Sequence, residues 1–564
     1  MLANERRVPS QGVELAVTEA GDPDRPTIVL VHGYPDTSST WDEVVERLEP
    51  RYHVVTYDVR GAGASSAPRG PDGYSLERLV DDLAAVVDAV DPARPVHVVG
   101  HDWGSIQSWE AVTTAPFNGR IASFTSISGP SLDHAGFWLR SRLRLRPRAI
   151  AQLLRQVSGS WYIAALEIPG IARIGWLLAG RRMGHDRRTV VNGAGMYRQS
   201  MRTRLLDPRE RRTAVPVQVV VPTRDPFVSP ALLDGTERWA PNLWRRRVRA
   251  GHWVQKTHPG LVARWITEFV DHVEGAPAAR SLERARVGTV RKQFAGHLVV
   301  ITGAGSGIGR ATALAFAERG ADVVVADINP AAADRTSELA RLLGANAHPF
   351  EVDVSDGQAM ERFAKAVETE LGVPDVVVNN AGIGIAGPFL DHGVEDWQRI
   401  LDVNLWGVIH GSRLFAQQMV DRGEGGHVVN VASAAAFFPS RTLPAYSTSK
   451  AAVLMLSECL RAELAGKGIG VSAICPGLIN TSITDTSRFV GLEPAEQEKR
   501  RRAAIRIYQL RNFTPDRVAT EIVRAVRDNV AVVPVAPEAK AMRFISRFSP
   551  RTTRLLARID ATPR

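Results

Sequence analysis

The run Leu298-Val-Val-Ile-Thr302 leads directly into Gly303-Ala-Gly-Ser-Gly-Ile-Gly309 and then into Arg310-Ala-Thr-Ala-Leu314. A short apolar and β-branched run bounded by glycine reads as a buried strand. Glycines spaced G-x3-G-x-G (Gly303, Gly307, Gly309) permit a tight turn that closes onto the start of a helix. Strand, glycine turn and helix make the opening unit of a parallel α/β sheet, and this one opens past the midpoint of a 564-residue chain. What precedes it must therefore fold on its own, because single hydrophobic cores stop growing well below that length.

The first half also alternates strand-like and helical patterns. Ile28–His32, Val54–Asp58 and Val96–Val99 read as short buried strands, which implies a mainly parallel sheet covered on both faces. The stretch beginning Gly275-Ala-Pro-Ala-Ala-Arg280 is polar and basic, without an apolar face. The expected division is a first domain over 1–275, a linker over 276–295, a second domain over 296–537 and a basic, mildly amphipathic tail over 538–564. At 44% hydrophobic and 23% charged the composition is that of a folded globular protein. The N-terminus carries no apolar stretch after its charges, and no run is long enough to span a bilayer, so a cytoplasmic protein is expected. Cys459 and Cys475 both fall in apolar stretches and read as buried structural thiols, with no disulfide and no metal site.

The net charge is +10, much of it arginine in tracts such as Arg140–Arg148 and Arg245–Arg249. No nucleic-acid-binding motif accompanies that charge, so nucleic acid is not an expected partner. The tracts read as solvated surface. Arginine alternating with leucine at 140–148 also suits peripheral contact with an anionic membrane.

Val96-His-Val-Val-Gly-His-Asp-Trp-Gly-Ser105 is a strand followed by G-x-Asp-x-G, with Gly100, Asp102 and Gly104 in the defining places. Such an elbow pushes its middle side chain out at the top of the sheet. A carboxylate there suits displacement at a saturated carbon, giving an alkyl ester that water then hydrolyses. Hydrolysis needs a base and an acid that orients it. The order nucleophile, acid, histidine is met by Asp102, Asp225 and His252, with His258 as a less suitable neighbour. The backbone amides of Tyr34 and Trp103 would supply an oxyanion hole.

These residues resemble the epoxide hydrolase branch of the α/β-hydrolases over about 10–273. The resemblance implies a helical cap over about 130–210. It also implies two cap tyrosines, Tyr162 and Tyr197, that protonate the epoxide oxygen on ring opening. A haloalkane dehalogenase shares the aspartate and the following tryptophan and is the main rival. A non-catalytic lipid- or membrane-docking module is another.

In the second half, the glycine turn lets backbone approach a pyrophosphate at a helix N-terminus. Asp327 ends the next strand, eighteen residues after Gly309. A carboxylate there bonds ribose hydroxyls and repels a 2′-phosphate, and Ser306 rather than a basic residue precedes Gly307. NAD is therefore expected over NADP. Tyr446-Ser-Thr-Ser-Lys450 puts Tyr446 and Lys450 on one helix face. The lysine cation, together with the nicotinamide, is expected to lower the tyrosine pKa. Ser433, thirteen residues before Tyr446, can orient a substrate oxygen, and Asn404 can hold a water that relays protons with Lys450.

These residues resemble the short-chain dehydrogenase/reductase family over about 296–537. That fold is a Rossmann-type doubly wound parallel sheet. The resemblance assigns cofactor contacts to Thr302, Gly303, Ser306, Gly307, Ile308 and Gly309, and to Asp327, Asp353 and Val354. It adds Asn380, Ala381, Gly382, Tyr446, Lys450, Pro476, Gly477 and Thr481. Ala436 stands where a glycine is frequent, with no expected effect on activity. Pairing of copies through the helices carrying Asn404 and Tyr446 is implied as well. The order of the halves resembles the actinobacterial epoxide hydrolase D-type fusions, which implies lipophilic or lipid substrates. It also suggests a relay in which an epoxide opens to a diol that NAD then oxidises.

Overall fold

The computed structural model describes residues 4–558 apart from 92, 115, 116, 118, 144, 145, 169, 176, 178–183, 185 and 482–486. Two compact units divide at Thr289 and Val290.

The first unit is built on eight strands: β1 (Asn4–Ser10), β2 (Val13–Ala20), β3 (Thr27–Val31), β4 (His53–Tyr57), β5 (Val96–His101), β6 (Ile121–Ile127), β7 (Val217–Pro222) and β8 (Leu243–Val248). Their order is β1-β2-β4-β3-β5-β6-β7-β8. The first two strands enter antiparallel, and the pairs from β4 to β8 are parallel. β3 shows why a continuous apolar run was needed. Val29 and Val31 join one core while Ile28 and Leu30 join the core on the opposite face, as the period-two alternation of a doubly covered strand requires. Helix α1 (Trp103–Ala111) follows β5. Between β6 and β7 the chain forms α2 (Leu132–Arg142), α3 (Pro147–Gly159), α4 (Trp161–Glu167), α5 (Ile171–Gly175) and α6 (Arg187–Met196).

Two expectations about polar segments fail in this unit. The stretch read as a linker folds into α7 (Arg280–Ala285), whose Leu282 is fully buried against Trp244 and Phe269. The Arg286 guanidinium stacks 4.1 Å over Trp244. Burying one leucine contributes about 2 kcal/mol towards docking this helix. Arg246, read as solvated, is 4% exposed; it bonds Gln218 and Glu268 and lies 5.2 Å over Trp265. The Arg140–Arg148 tract breaks between α2 and α3, and its Arg144 and Leu145 lie outside the described residues.

The main sheet of the second unit has seven parallel strands among the described residues: β9 (Leu298–Thr302), β10 (Asp322–Asp327), β11 (Ala347–Glu351), β12 (Val376–Asn379), β13 (Gly426–Val431), β14 (Ile469–Pro476) and β15 (Val532–Val535). The order β11-β10-β9-β12-β13-β14-β15 reverses direction between β9 and β12, where doubly wound sheets open a crevice for ligands. Helices α8 (Gly307–Glu318), α9 (Gly407–Arg422), α10 (Pro444–Leu464) and α11 (Pro494–Arg511) follow in chain order. The tail is helical too, as α12 (Pro537–Phe548) and α13 (Pro550–Leu556); its residues 559–564 lie outside the described residues. Cys475 is buried on β14, but Cys459 is exposed. Its position on α10 sits on the outer side of a helix whose apolar composition does not distinguish inner from outer faces.

Candidate active sites

In the first unit Asp102 closes the turn between β5 and α1 at φ 50°, ψ −120°. A non-glycine residue held there carries backbone strain of the order of 1–3 kcal/mol, which its surroundings must impose. They do: a side chain at Gly104 would meet the Val31 carbonyl at 2.1 Å, so α1 rests directly on β3. Asp102 is 7% exposed. Its Oδ1 accepts from the Tyr34 N–H at 2.9 Å, and its Oδ2 lies 3.5 Å from His252 Nε2. The other imidazole nitrogen, Nδ1, is 2.9 Å from Asp225 Oδ2. Asp225 Oδ1 accepts from the amides of Phe227 and Val228 at 2.8 and 3.1 Å.

The electrostatics follow from that geometry. Burial disfavours an imidazolium, yet Asp102 and Asp225 outweigh it and push His252 up to about 10. Burial likewise opposes ionisation of Asp225, and the His252 bond with the two amides overrides it, holding the carboxyl below its ordinary range. Tyr162 and Tyr197 meet above Asp102, with ring centroids 6.0 Å apart, and Tyr197 sets its edge against Trp103 at 5.0 Å. Burial raises both hydroxyls well above the ordinary phenol range, helped at Tyr162 by the Asp102 carboxylate and at Tyr197 by Tyr162 and then Asp102. They stay protonated and can act as acids. Tyr197 opens a π-helical turn, Tyr197–Met201, a local widening common at functional sites. Trp103 supplies the first amide of α1, directly after the nucleophile, and helix N-termini leave such amides without intrahelical partners. The His258 ring bonds Thr257.

Sequence reasoning missed His101. It is fully buried, and its ring centroid lies 4.8 Å from that of His252. Burial, with the neighbouring His252, pushes it down to about 4, so it is neutral. Its Nε2 must donate to the His252 carbonyl at 3.0 Å, which leaves Nδ1 to accept from Gln255 at 3.2 Å. A neutral ring therefore backs the charged one. The variable position inside G-x-Asp-x-G was the available signal. Phe227, edge-on to both Tyr162 and His252, was missed too.

In the second unit a cavity of about 1620 Å³ runs along the β9–β12 crevice. Gly303, Ser306, Gly307 and Ile308 line it, as do Asp327, Asp353, Val354, Asn380, Ala381 and Gly382. So do Ser433, Tyr446, Lys450, Pro476, Gly477 and Thr481. Thr302 and Gly309 build the wall behind. The Thr302 hydroxyl accepts from the Asn380 amide at 3.1 Å, and a side chain at Gly309 would strike the Gly303 carbonyl at 2.1 Å. Asp327 caps the crevice: its Oδ2 accepts from the Gly305 N–H at 2.8 Å.

Asn404 is fully buried in a second π-helical turn, Asp402–Trp406. Its side chain bonds both backbone groups of Ile383, at 2.9 and 3.0 Å, and Ser449 at 3.3 Å. Lys450 Nζ donates to the Val431 carbonyl at 2.9 Å and sits 6.0 Å from the Tyr446 ring centroid. Gly382 joins the two, since a side chain on it would meet Asn404 Oδ1 at 3.1 Å and Lys450 Nζ at 3.4 Å. A lowered Tyr446 pKa was expected from Lys450 and the nicotinamide together; the residues by themselves do not produce it. Burial raises it, the Ser433 hydroxyl opposes only in part, and burial takes Lys450 down to about 8.

Glu538 was not anticipated. It belongs to α12, yet its Oε1 accepts from the Leu478 N–H at 2.8 Å and it pairs with Arg511. The tail is thereby tied to the segment after β14 and to α11. A contact spanning sixty residues leaves no local pattern in the sequence.

Residues 26–259 match the family model described as alpha/beta hydrolase fold, and residues 297–489 match that described as short chain dehydrogenase. Over 574 positions the chain is 43% identical to "Probable oxidoreductase EphD" of Mycobacterium tuberculosis, covering 97% of each chain. Its second half is 33% identical over 257 residues to "C alpha-dehydrogenase" of a Sphingobium species, covering 44% of this chain and 83% of that one. Among solved structures, a short chain dehydrogenase/reductase from Burkholderia phymatum in complex with NAD is 32% identical. It covers 47% of this chain and 96% of its own, at a TM-score of 0.43. The full-length match decides the family: the chain belongs to the two-domain enzymes in which an α/β-hydrolase domain precedes a short-chain dehydrogenase domain, as in the mycobacterial oxidoreductase.

Proposed function

We propose that the chain is bifunctional, an epoxide hydrolase joined to an NAD-dependent alcohol/ketone oxidoreductase, both acting on lipophilic substrates. The observation that carries the hydrolase reading is His252 held between two carboxylates beneath two protonated tyrosines. Asp102 attacks an epoxide carbon, the ring C–O bond breaks, and a tyrosine hydroxyl protonates the leaving oxygen. Ester formation removes the Asp102 charge, one of the two that hold His252 protonated. The imidazolium then returns a proton to the tyrosinate and becomes a base. Water gives its proton to His252 and attacks the Asp102 carbonyl carbon. The oxyanion develops on the oxygen that the Tyr34 N–H already holds. Collapse releases the diol and restores the carboxylate, and the oxygen from water stays on Asp102. One turnover in 18O-labelled water should therefore label Asp102, as read by peptide mass spectrometry; label in the diol alone contradicts the ester.

The crevice residues fit a nicotinamide dinucleotide. The Gly303–Gly309 turn leaves backbone room for a pyrophosphate at the start of α8, and the Asp327 carboxylate suits a ribose diol better than a 2′-phosphate. When bound, that cofactor supplies the hydride acceptor or donor, and its oxidised ring a positive charge. Ser433 orients the substrate oxygen, Tyr446 accepts or returns its proton, and Lys450 carries the neighbouring charge. NADH formed from secondary alcohols, with no rate on NADP, is the expected assay result. A relay is tested by adding isolated diol and NAD; a diol that yields no NADH ends it.

One observation favours a second reading of the first unit. The Trp103 indole N–H is buried beside the nucleophile and faces Tyr197, as a halide-holding donor would be. Bromide release from 1-bromoalkanes faster than diol formation from matched epoxides would establish it.

A further inference from the structure

The C-terminal helices do two things at once. Ala541, Met542 and Ile545 of α12, with Leu556 of α13, line the oxidoreductase cavity. The adjoining face of α12 is open to solvent. It carries Lys540, Phe544, Arg547 and Phe548, spaced to share one side of a helix. Phe544 and Phe548 are 64% and 69% exposed and lie against each other, with ring centroids 4.7 Å apart. Leu555 on α13 is 64% exposed as well. Exposed phenylalanine pairs carry a hydration cost that a soluble surface gains nothing from. The charge around them is of one sign: Lys540, Arg547, Arg551, Arg554 and Arg558 are exposed, and no carboxylate occurs between Ala539 and Arg558.

We infer that α12 and α13 dock the enzyme on an anionic lipid bilayer, with the Phe544–Phe548 pair inserted among acyl chains and the cations on the headgroups, so that lipophilic substrate enters the oxidoreductase cavity from the membrane. Apolar rings ringed by cations are the chemistry of an interfacial helix. Among the described residues no helix is long and apolar enough to cross a membrane; docking here is peripheral. Ala541 is both exposed and cavity-lining, so the proposed membrane face adjoins the cavity mouth. Glu538 ties the same helix to Leu478, beside the cavity wall at Pro476 and Gly477. Docking goes beyond the functional reading above, and only substrate entry rests on it.

The test uses the full chain. In flotation, it should bind phosphatidylglycerol vesicles, bind phosphatidylcholine vesicles far more weakly, and release as salt is raised. Phe544→Ser with Phe548→Ser should weaken binding about tenfold or more, and Lys540→Glu with Arg547→Glu similarly. Neither pair lines the cavity, so NADH formation from a short water-soluble alcohol should be unchanged, while oxidation of a vesicle-embedded long-chain alcohol should fall. Wild-type chain that ignores phosphatidylglycerol, or serine variants that bind like wild type, overturns the inference. So do serine variants that convert a dimer to a monomer in sedimentation, which would assign the patch to a second copy. If docking holds but no alcohol of either kind is oxidised, the oxidoreductase reading fails alone.

Discussion

In the hydrolase site His252 stands between Asp102 and Asp225 and is pushed up to about 10, whereas in the oxidoreductase site Lys450, buried and donating to the Val431 carbonyl, falls to about 8 and Tyr446 rises. The dehydrogenase crevice also opens a cavity of about 1620 Å³. One site sets its ionisation states with its own paired residues. The other is a shaped space in which burial sets them, and a bound nicotinamide would add charge as well as hydride chemistry.

The largest effect is expected from His252→Gln. It spares the nucleophile and removes the base, so epoxide turnover should drop by about 10³-fold or more. Intact-mass spectrometry should show an alkyl adduct on Asp102 that persists. Absence of adduct with turnover retained would break the contrast at its root. Next come Tyr162→Phe and Tyr197→Phe, each expected to lower epoxide opening about 10²-fold. NADH formation should stay unchanged in both, as paired assays on one preparation would check. A single tyrosine sufficing alone would sharpen the picture to one acid. Asp327→Ala should cut the NAD-over-NADP preference by about tenfold, measured as a ratio of kcat/KM values.

The smallest effect is on stability. His252 is raised from its ordinary 6.5 to about 10, so its contribution to folding is full below about pH 6.5 and is lost as pH rises through about 10. The first unit's Tm should fall between about pH 7 and about pH 10, and Asp102→Asn should flatten that slope. A slope unaffected by the substitution would dissociate His252 from Asp102.

Much of this was legible in the chain. G-x-Asp-x-G, the order Asp102, Asp225, His252, and Y-x3-K are local patterns or simple orderings, and the structure brings their members together. What escaped depends on neighbours distant in sequence. Arg246 looks like one more surface arginine until β8 lies beside β7 and offers it Gln218. Leu282 and Ala285 are too few to register as periodic, yet they bury a helical turn. The tail's amphipathic character could be read, but not that its inner face completes a cavity through Glu538 and Leu478. Tyr446 was expected low through Lys450 and the nicotinamide together; by themselves these residues leave burial dominant at both.

Two independent active sites of different classes in one chain are tested by assaying Asp102→Asn and Tyr446→Phe side by side, for diol formation from a lipophilic epoxide and for NADH formation from a secondary alcohol. Reciprocal loss is expected, with each variant abolishing one activity and retaining the other at the wild-type rate. A variant that loses both activities while remaining folded, or one that loses neither, would rule out independent sites.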